Sequence, residues 1–291
     1  MRVRHLLAPG LAGALTLLAA CTAEAPGASS PAASPPPVAA ATVAPLGTLL
    51  ADVAGNRWSV RVLIPPGRSP HDYEPSPGDL RTLSEARLLL RVGHPSFVFE
   101  QRLLVPAAQR RVPLETLSVE ELVSTSDEAK DPHPWLSPPV LVAASRVLGE
   151  RLSELDPAGA KGYRQRAATE VRRFTRLDTE LREILETGGC RTFLVDHPAW
   201  GAFAEHYGLE QLAIEHEGKD PGPATLTRTV EAARAAGVRR LLVRPGRPAA
   251  RVLSVARSLG ADTAELDPLA PDVEDTLRQA ATLIAGGCHH E

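Results

Sequence analysis

The sequence predicts an α/β fold in two lobes, each built around a parallel β-sheet. From residue 38 onward, short apolar runs alternate with longer amphipathic stretches, and this alternation is typical of βαβ units. The pattern occurs in the first half of the chain and again in the second, and a long helical stretch separates the two. We therefore expect two Rossmann-like lobes with parallel sheets, an N-terminal one over residues 38–156 and a C-terminal one over residues 188–291.

Strands and helices alternate in the same order in both predicted lobes. In the N-terminal lobe the predicted strands are 38–43, 58–64 and 87–93, and the predicted helices are 46–55, 77–86 and 97–104. In the C-terminal lobe the predicted strands are 192–196, 210–214, 239–243 and 263–267, and the predicted helices are 199–207, 223–236, 248–259 and 272–285. Gly208, Gly237 and Gly260 stand where helix C-caps are expected, because glycine tolerates the left-handed conformation that ends many helices.

The stretch 137–187 between the two lobes has a helical pattern that is interrupted only at Asp156 and Pro157. Its second part, residues 157–187, starts at a proline and is followed by Gly188, which is the usual asymmetry of helix ends. At ~1.5 Å per residue, a helix of this length exceeds about 40 Å. From the residues alone it is either a long surface helix or a rigid strut between the lobes.

The N-terminal residues predict export and a membrane anchor. Residues 1–20 combine a basic start, a short apolar core and small residues at the end, as a secretory signal peptide does. The sequence Leu-Ala-Ala-Cys ending at Cys21 resembles a bacterial lipobox, in which the cysteine is lipidated, and the alternative is a plain cleaved leader. Residues 21–37 are rich in Ala, Pro and Ser and predict a flexible tether. We expect an exported protein, lipid-anchored to the membrane in the periplasm or at the cell surface.

Composition and charge exclude several classes of protein. The 291 residues are 43% hydrophobic and 23% charged, which is typical of a globular protein rather than a disordered one. The formal net charge of −3 argues against nucleic acid as a partner, because phosphate contacts need a concentrated excess of Lys and Arg. Three cysteines are too few for a disulfide-rich scaffold or a cysteine-based zinc module. In an exported protein, Cys190 and Cys288 are expected to form a disulfide, and two free thiols are the alternative.

Several histidines and one aspartate lie near the ends of predicted strands, where parallel sheets bind ligands. The candidates, drawn from both lobes, are His71, His94, His133, His197, His216 and Asp267. Three imidazoles and one carboxylate would suit a divalent ion such as Zn²⁺ or, with less preference, Mn²⁺. A single histidine is more often a hydrogen-bonded structural residue than a ligand, so position alone does not choose among the candidates.

Four segments resemble the ligand segments of the zinc/manganese ABC-transporter solute-binding proteins, the cluster A-I metal-binding lipoproteins. These segments are residues 63–75 with His71, 131–136 with His133, 195–201 with His197, and 266–269 with Asp267. They occur in the family's order and span nearly the whole folded body. The resemblance implies that these four residues bind the metal in a cleft between the lobes. It also implies that residues 157–187 form a long rigid helix that joins the lobes.

The same resemblance implies a function in transport. The protein would capture a metal ion outside the cytoplasm and deliver it to the permease of an ABC importer. Histidine at the third ligand position resembles the zinc-type members, so Zn²⁺ is the expected cargo, with Mn²⁺ or another divalent ion as the alternative. We expect a monomer without enzymatic activity. A metal-binding adhesion or sensing lipoprotein on the same scaffold is the alternative, and a zinc hydrolase is disfavoured because the sequence contains no His-Glu-x-x-His or Gly-x-Ser-x-Gly motif.

Some positions depart from the family pattern or stay unassigned. The segment 117–130 lacks the histidines that many zinc-type members carry there, and Arg244 stands where a glutamate is common. His94 and His216 are further candidates for lining the cleft, whereas His206 is expected to be a packing or surface residue. The tail 288–291 could bind a second metal ion, although a frayed end is the simpler interpretation. Because histidine coordinates only when neutral, we expect metal binding to weaken below about pH 6.

Overall fold

The structure is a computed structural model that describes residues 35–108, 114–122, 131–215, 222–246 and 250–288. The predictions for the signal peptide, for Cys21 and most of the tether, for His216 and for residues 289–291 fall outside these ranges. No helix within the described ranges combines the length and the apolar character that a membrane crossing needs.

The N-terminal lobe contains a four-stranded parallel sheet with the strand order β2-β1-β3-β4. Its elements are β1 Val38–Ala41, α1 Ala44–Ala54, β2 Ser59–Val62, α2 Pro77–Glu85, β3 Ala86–Arg91, α3 Val98–Ala107 and β4 Glu115–Ser118. Helix α1 approaches the sheet so closely that a Cβ atom on Gly47 would lie 2.4 Å from Cγ2 of Val62, which is why glycine is needed there. Strand β4 is an addition to the elements that the sequence predicts, and its residues are mostly polar.

Two long helices connect the sheets, and the chain breaks between them where the sequence predicts. They are α4 Pro138–Leu155 and α5 Ala160–Gly188, separated by a short 3₁₀ turn at Pro157–Gly159. Helix α5 has 29 residues and buries a stripe with helical spacing that consists of Tyr163, Ala167, Glu170, Phe174, Leu177, Leu181 and Leu185. It packs on α4, on α1 of the N-terminal lobe and on a C-terminal helix, α9 (Val273–Ala285), so it joins the lobes instead of lying free on the surface.

The C-terminal lobe repeats the architecture, with a parallel sheet in the order β6-β5-β7-β8. Its elements are β5 Thr192–Val195, α6 Gly201–Tyr207, β6 Glu210–Ala213, α7 Pro223–Ala235, β7 Arg240–Val243, α8 Ala250–Leu259, β8 Asp262–Glu265 and α9 Val273–Ala285. A disulfide joins Cys190, just before β5, to Cys288, just after α9. The predicted fold class of two parallel α/β lobes joined by a long helix is confirmed, whereas the lobe limits 38–156 and 188–291 stay a prediction.

Candidate metal centre

Three histidines converge in the structure. His71, His133 and His197 each offer a ring nitrogen, and these three nitrogen atoms all lie within 4.8 Å of one another. The ring centroids form a nearly equilateral triangle with sides of 5.3, 5.1 and 5.3 Å. The Nε2 atoms of His71 and His133 are 3.2 Å apart. Ligand nitrogens at about 2.1 Å from a tetrahedral Zn²⁺ lie roughly 3.4 Å apart, so this spacing fits a shared ion.

The three histidines come from both lobes. His71 lies in the loop that follows β2, and His133 directly precedes the short 3₁₀ turn that leads into α4. His197 lies two residues after the end of β5, at the carboxyl edge of the second sheet. The loop that carries His71 is held in place by Tyr73. The Tyr73 hydroxyl donates to the Asp79 carboxylate at 2.8 Å and to the backbone carbonyl of Leu63 at 3.2 Å.

Two carboxylates fix the orientation of two of the rings. Nδ1 of His133 lies 2.7 Å from Oδ1 of Asp131, and Nδ1 of His197 lies 3.0 Å from Oε2 of Glu215. An ionised carboxylate only accepts hydrogen bonds, so Nδ1 carries the proton in both rings and Nε2 keeps its lone pair. A carboxylate on the far nitrogen is the usual support of a metal-binding histidine.

The surroundings of the cluster favour neutral imidazoles. Burial lowers the pKa of His71 to about 3, and the neighbouring His133, His197 and Arg244 act in the same direction. Burial also lowers the pKa of His197, although the bond to Glu215 opposes the shift. His133 and His197 are only 2% and 5% exposed. His71 and His197 are therefore in the protonation state that binds a cation at neutral pH.

The supporting carboxylates are ionised. Burial alone would raise the pKa of Asp131, but its hydrogen bonds with His133 and the backbone hold that pKa below its usual value. Burial would likewise raise the pKa of Glu215, but His197 and Arg244 keep it low. Arg244 donates to Oε1 of Glu215 at 2.8 Å and to Asp196 at 3.0 Å. It therefore neutralises part of the negative charge behind His197 and holds Glu215 in place.

Aromatic rings close the N-terminal side of the cluster. Phe97 packs edge-on against His71 with a centroid distance of 5.0 Å, and Trp135 packs against His133 at 5.3 Å. Both side chains are fully buried. These two aromatic rings cover part of His71 and of His133 and limit the directions from which an ion can reach the cluster.

Asp267 is not part of the group of mutually close ligand atoms that the described residues form. It lies two residues after β8, and its Oδ1 accepts a hydrogen bond from the Leu269 amide at 2.9 Å. The next residue, Pro268, is held at the site because its carbonyl accepts a hydrogen bond from the Trp135 indole at 2.8 Å. The role of Asp267 as a fourth ligand stays a prediction.

The remaining histidines lie elsewhere or outside the described ranges. His94 pairs through Nδ1 with the Ser96 hydroxyl at 2.7 Å and does not join the cluster. His206 bonds to Asp178 of α5 at 2.7 Å, in a packing role. His216 and the tail residues 289–291 are outside the described part of the chain.

Sequence reasoning found the three histidines but not their supports. Glu215 follows β6, the direct neighbour of β5, so the rule of adjacent strand ends could have found it. Asp131 lies two residues before His133, at a distance along the chain from which a side chain can turn back onto the ring. No feature of the sequence indicated that Phe97 packs against the site, because that contact depends on how the loop after β3 folds over the histidines.

Comparisons with known proteins agree with this geometry. The model of the ZnuA family, described as zinc-uptake complex component A, periplasmic, matches residues 40–284. Among curated relatives, the manganese-binding lipoprotein MntA of Halalkalibacterium halodurans is 29% identical over 183 residues, covering 61% of each chain. The high-affinity zinc uptake system protein ZnuA of Yersinia pestis is 29% identical over 204 residues, covering 59% of this chain and 63% of its own length. This chain thus spans about three fifths of the length of these relatives.

Solved structures show the same architecture. The crystal structure of a zinc-bound ZnuA deletion mutant superposes with a TM-score of 0.80 at 27% identity, over 88% of this chain and all of the other. The family match covers most of the chain and contains all three clustered histidines. The chain therefore belongs to the ZnuA family of periplasmic zinc-uptake components.

Proposed function

We propose that this protein captures a divalent metal ion outside the cytoplasm, with zinc as the favoured ion, and delivers it to the permease of an ABC importer. The single observation that carries the proposal is the cluster of His71, His133 and His197. Two of these rings have Nδ1 on a carboxylate, so their Nε2 lone pairs are free for a common ion. The names of the zinc- and manganese-binding relatives support the same activity.

The ligand chemistry favours zinc. Three imidazole nitrogens form a donor set that Zn²⁺ accepts readily, whereas Mn²⁺ prefers a larger share of oxygen ligands. We propose Asp267 as the fourth ligand, which would give a site of net charge +1 when the ion is bound. No thiolate takes part in such a site, so the ion can be given up when the lobes separate. Separation would pull His197 and Asp267 of the C-terminal lobe away from the other two ligands.

The same ligand set argues against catalysis. A catalytic zinc keeps one position open for water, and a fourth protein ligand at Asp267 would occupy it. We therefore propose that the chain has no enzymatic activity of its own. The metal-binding adhesion or sensing alternative would use the same site, and no feature of the described geometry favours it.

Anchoring and assembly belong to the same proposal. We propose that Cys21 carries the lipid and that residues 21–37 tether the folded body to the membrane. We propose that the protein acts as a monomer, because one chain supplies all the ligands of the site.

A genetic test addresses the transport function. Deleting the gene in its host should reduce the uptake of radioactive zinc and impair growth in zinc-depleted medium. Complementation with the wild-type chain should restore both, whereas the His133→Ala variant should restore neither. Full zinc uptake in the deletion strain, with no second importer present, would contradict the proposal.

A further inference from the structure

The segment from Asp131 to Trp135, which carries His133, makes two hydrogen bonds to the opposite lobe. Two residues before His133, the Asp131 carboxylate accepts from the Ala202 amide of α6 at 2.9 Å. Two residues after His133, the Trp135 indole donates to the Pro268 carbonyl at 2.8 Å. The two bonds therefore flank His133 on both sides, and both end in the lobe that carries His197 and the proposed ligand Asp267.

Asp131 uses its two oxygens for different lobes. Oδ1 accepts from the His133 amide at 2.8 Å and faces Nδ1 of the same residue at 2.7 Å. Oδ2 accepts the amide at the start of α6. The fit around Oδ2 is close, because a Cβ atom on Gly201 would lie only 2.5 Å from it. The carboxylate that orients His133 is thus also a contact between the lobes.

Trp135 makes the corresponding link on the other side of His133. Its ring is fully buried and packs against the His133 ring with a centroid distance of 5.3 Å. Its indole nitrogen holds the carbonyl of Pro268, the residue that directly follows the proposed ligand Asp267. One side chain therefore contacts a ligand of the N-terminal side and fixes the backbone beside a ligand of the C-terminal side.

We propose that Asp131 and Trp135 are positioning residues that couple lobe closure to metal retention. This inference rests on the proposed function and extends it to the release step. When the lobes are together, both bonds hold His197 and Asp267 at a fixed position relative to His133. When the lobes separate, both bonds break, and the ligand set loses its alignment at the same moment. The two bonds thus set how long the closed protein keeps its ion.

The first test removes one cross-lobe bond and measures zinc release. Trp135→Phe keeps an aromatic ring but lacks the indole donor. Trp58→Phe is a matched control, because Trp58 also donates a buried hydrogen bond, at 3.0 Å to Tyr163 of the connecting helix α5, and its partner is not in the C-terminal lobe. Zinc-loaded full-length proteins are mixed with an excess of a coloured chelator, and the rate of transfer is recorded. Trp135→Phe should release zinc about fivefold faster than the wild type, as one lost hydrogen bond implies, and Trp58→Phe should release it at the wild-type rate.

A second variant keeps the test valid if Trp135→Phe does not fold. Gly201→Ala removes no polar group but places a methyl group against the Asp131 carboxylate. Gly222→Ala is its control, because a Cβ atom there meets nothing within 4 Å. Gly201→Ala should also accelerate zinc release, with the stoichiometry still at one ion, whereas Gly222→Ala should not.

The outcomes separate this inference from the proposed function. Unchanged release rates in folded Trp135→Phe and Gly201→Ala would overturn the coupling, and so would equal acceleration in the control variants. A wild-type chain that binds no zinc would instead overturn the proposed function before any variant is compared.

Discussion

At the scale of single residues, the site depends on carboxylates that do not themselves bind the ion in this account. Glu215 supports His197, and Arg244 in turn holds Glu215 through the bond to Oε1. Arg244, which stands where the sequence resemblance leads one to expect a glutamate, therefore fixes the position of Glu215. It balances the charge of Glu215 and Asp196 behind His197.

The support from Glu215 can be tested by Glu215→Gln. Glu215 uses one carboxylate oxygen for His197 and the other for Arg244, whereas the glutamine side chain has only one acceptor oxygen. The variant therefore cannot accept from both partners, and His197 loses either its fixed tautomer or its fixed position. Zinc affinity should fall by about 10- to 100-fold. The measurement is a competition titration against a chelator of known affinity.

Glu210→Gln provides the control for this titration. Glu210 is the first residue of β6, whereas Glu215 follows the end of that strand. Glu210 is exposed and accepts a hydrogen bond from Thr192 at 3.1 Å. Its variant should bind zinc like the wild type. Equal affinities in both variants would show that Glu215 does not support the site.

The sequence predicts which histidines form the site but not which acids support them. His71, His133 and His197 could be chosen because the motifs around them resemble a known family. Four acids, Asp72, Glu74, Asp131 and Asp196, lie within three residues of one of these histidines, but only Asp131 contacts a ring in the hydrogen bonds described. Glu74 pairs with Arg102, and Asp196 pairs with Arg244. Which acid supports which ring depends on strand order and loop paths, which a single sequence does not contain.

At the scale of elements, the central strands β1, β3, β5 and β7 could be predicted because they are buried apolar runs. Strand β4, Glu115–Ser118, was not predicted, because its sequence Glu-Thr-Leu-Ser contains no run of apolar residues. The break between α4 and α5 was predictable from Asp156 and Pro157. The structure adds the reason why the break is well defined there.

The junction of α4 and α5 is held by a small polar network. Asp156 accepts hydrogen bonds from Arg57 at 2.7 and 3.0 Å and from the buried Tyr163 hydroxyl. The bonds from Arg57 and then from Tyr163 lower the pKa of Asp156 to about 2. A depressed carboxyl pKa stabilises the folded state above the unfolded pKa, and that contribution is lost as the pH falls through the folded pKa.

The pH dependence of Asp156→Asn follows from this shift. The variant should melt a few degrees below the wild type at pH 7, because it lacks the charge that Arg57 recognises. The difference in melting temperature between the variant and the wild type should stay constant down to about pH 4 and disappear as the pH approaches about 2. Thermal melts between pH 7 and pH 2.5 measure it.

Glu154→Gln is the control for these melts. Glu154 is an exposed acid in the last turn of α4, two residues before Asp156, and it pairs only with Arg151 at 2.9 Å in the contacts described. Its variant should melt like the wild type throughout. A loss of melting temperature in Asp156→Asn that does not depend on pH would contradict the claim that the ionised Asp156 carboxylate stabilises the junction.

At the scale of the whole molecule, His197 of the histidine cluster and the disulfide lie at opposite ends of strand β5. Cys190 precedes β5 and His197 follows it, so a four-residue strand of about 13 Å separates them. The disulfide closes a loop with a sequence separation of 98 residues and ties the end of α9 to its lobe. It should therefore affect stability and not metal binding.

Replacing Cys190 and Cys288 together by serine tests this separation. The variant should lose about 2–4 kcal/mol of unfolding free energy, measured by denaturant titration. Its zinc affinity should stay within about twofold of the wild type, since the strand ends that hold the ligands are unchanged. Mass spectrometry that found two free thiols in the oxidised wild type would contradict the disulfide itself.

The protonation of the cluster also changes an expectation from the sequence. Loss of metal below about pH 6 assumes histidines with ordinary pKa values. The pKa of His71 is lowered to about 3, and that of His197 is lowered as well, so at these two rings protons compete with the ion only in more acidic solution. Zinc affinity should therefore change little between pH 7 and pH 6, as titrations at both values would show.

The central claim is that one divalent ion binds at the cluster of three histidines. The most direct test is the metal content of a soluble form that starts after Cys21, with competition by manganese, for the wild type, His133→Ala and His94→Ala. We expect one equivalent of zinc that resists excess manganese in the wild type and in His94→Ala. In His133→Ala the affinity should fall by at least about a hundredfold. Stoichiometric zinc that survives His133→Ala, or a folded wild-type protein that binds no metal, would contradict the account.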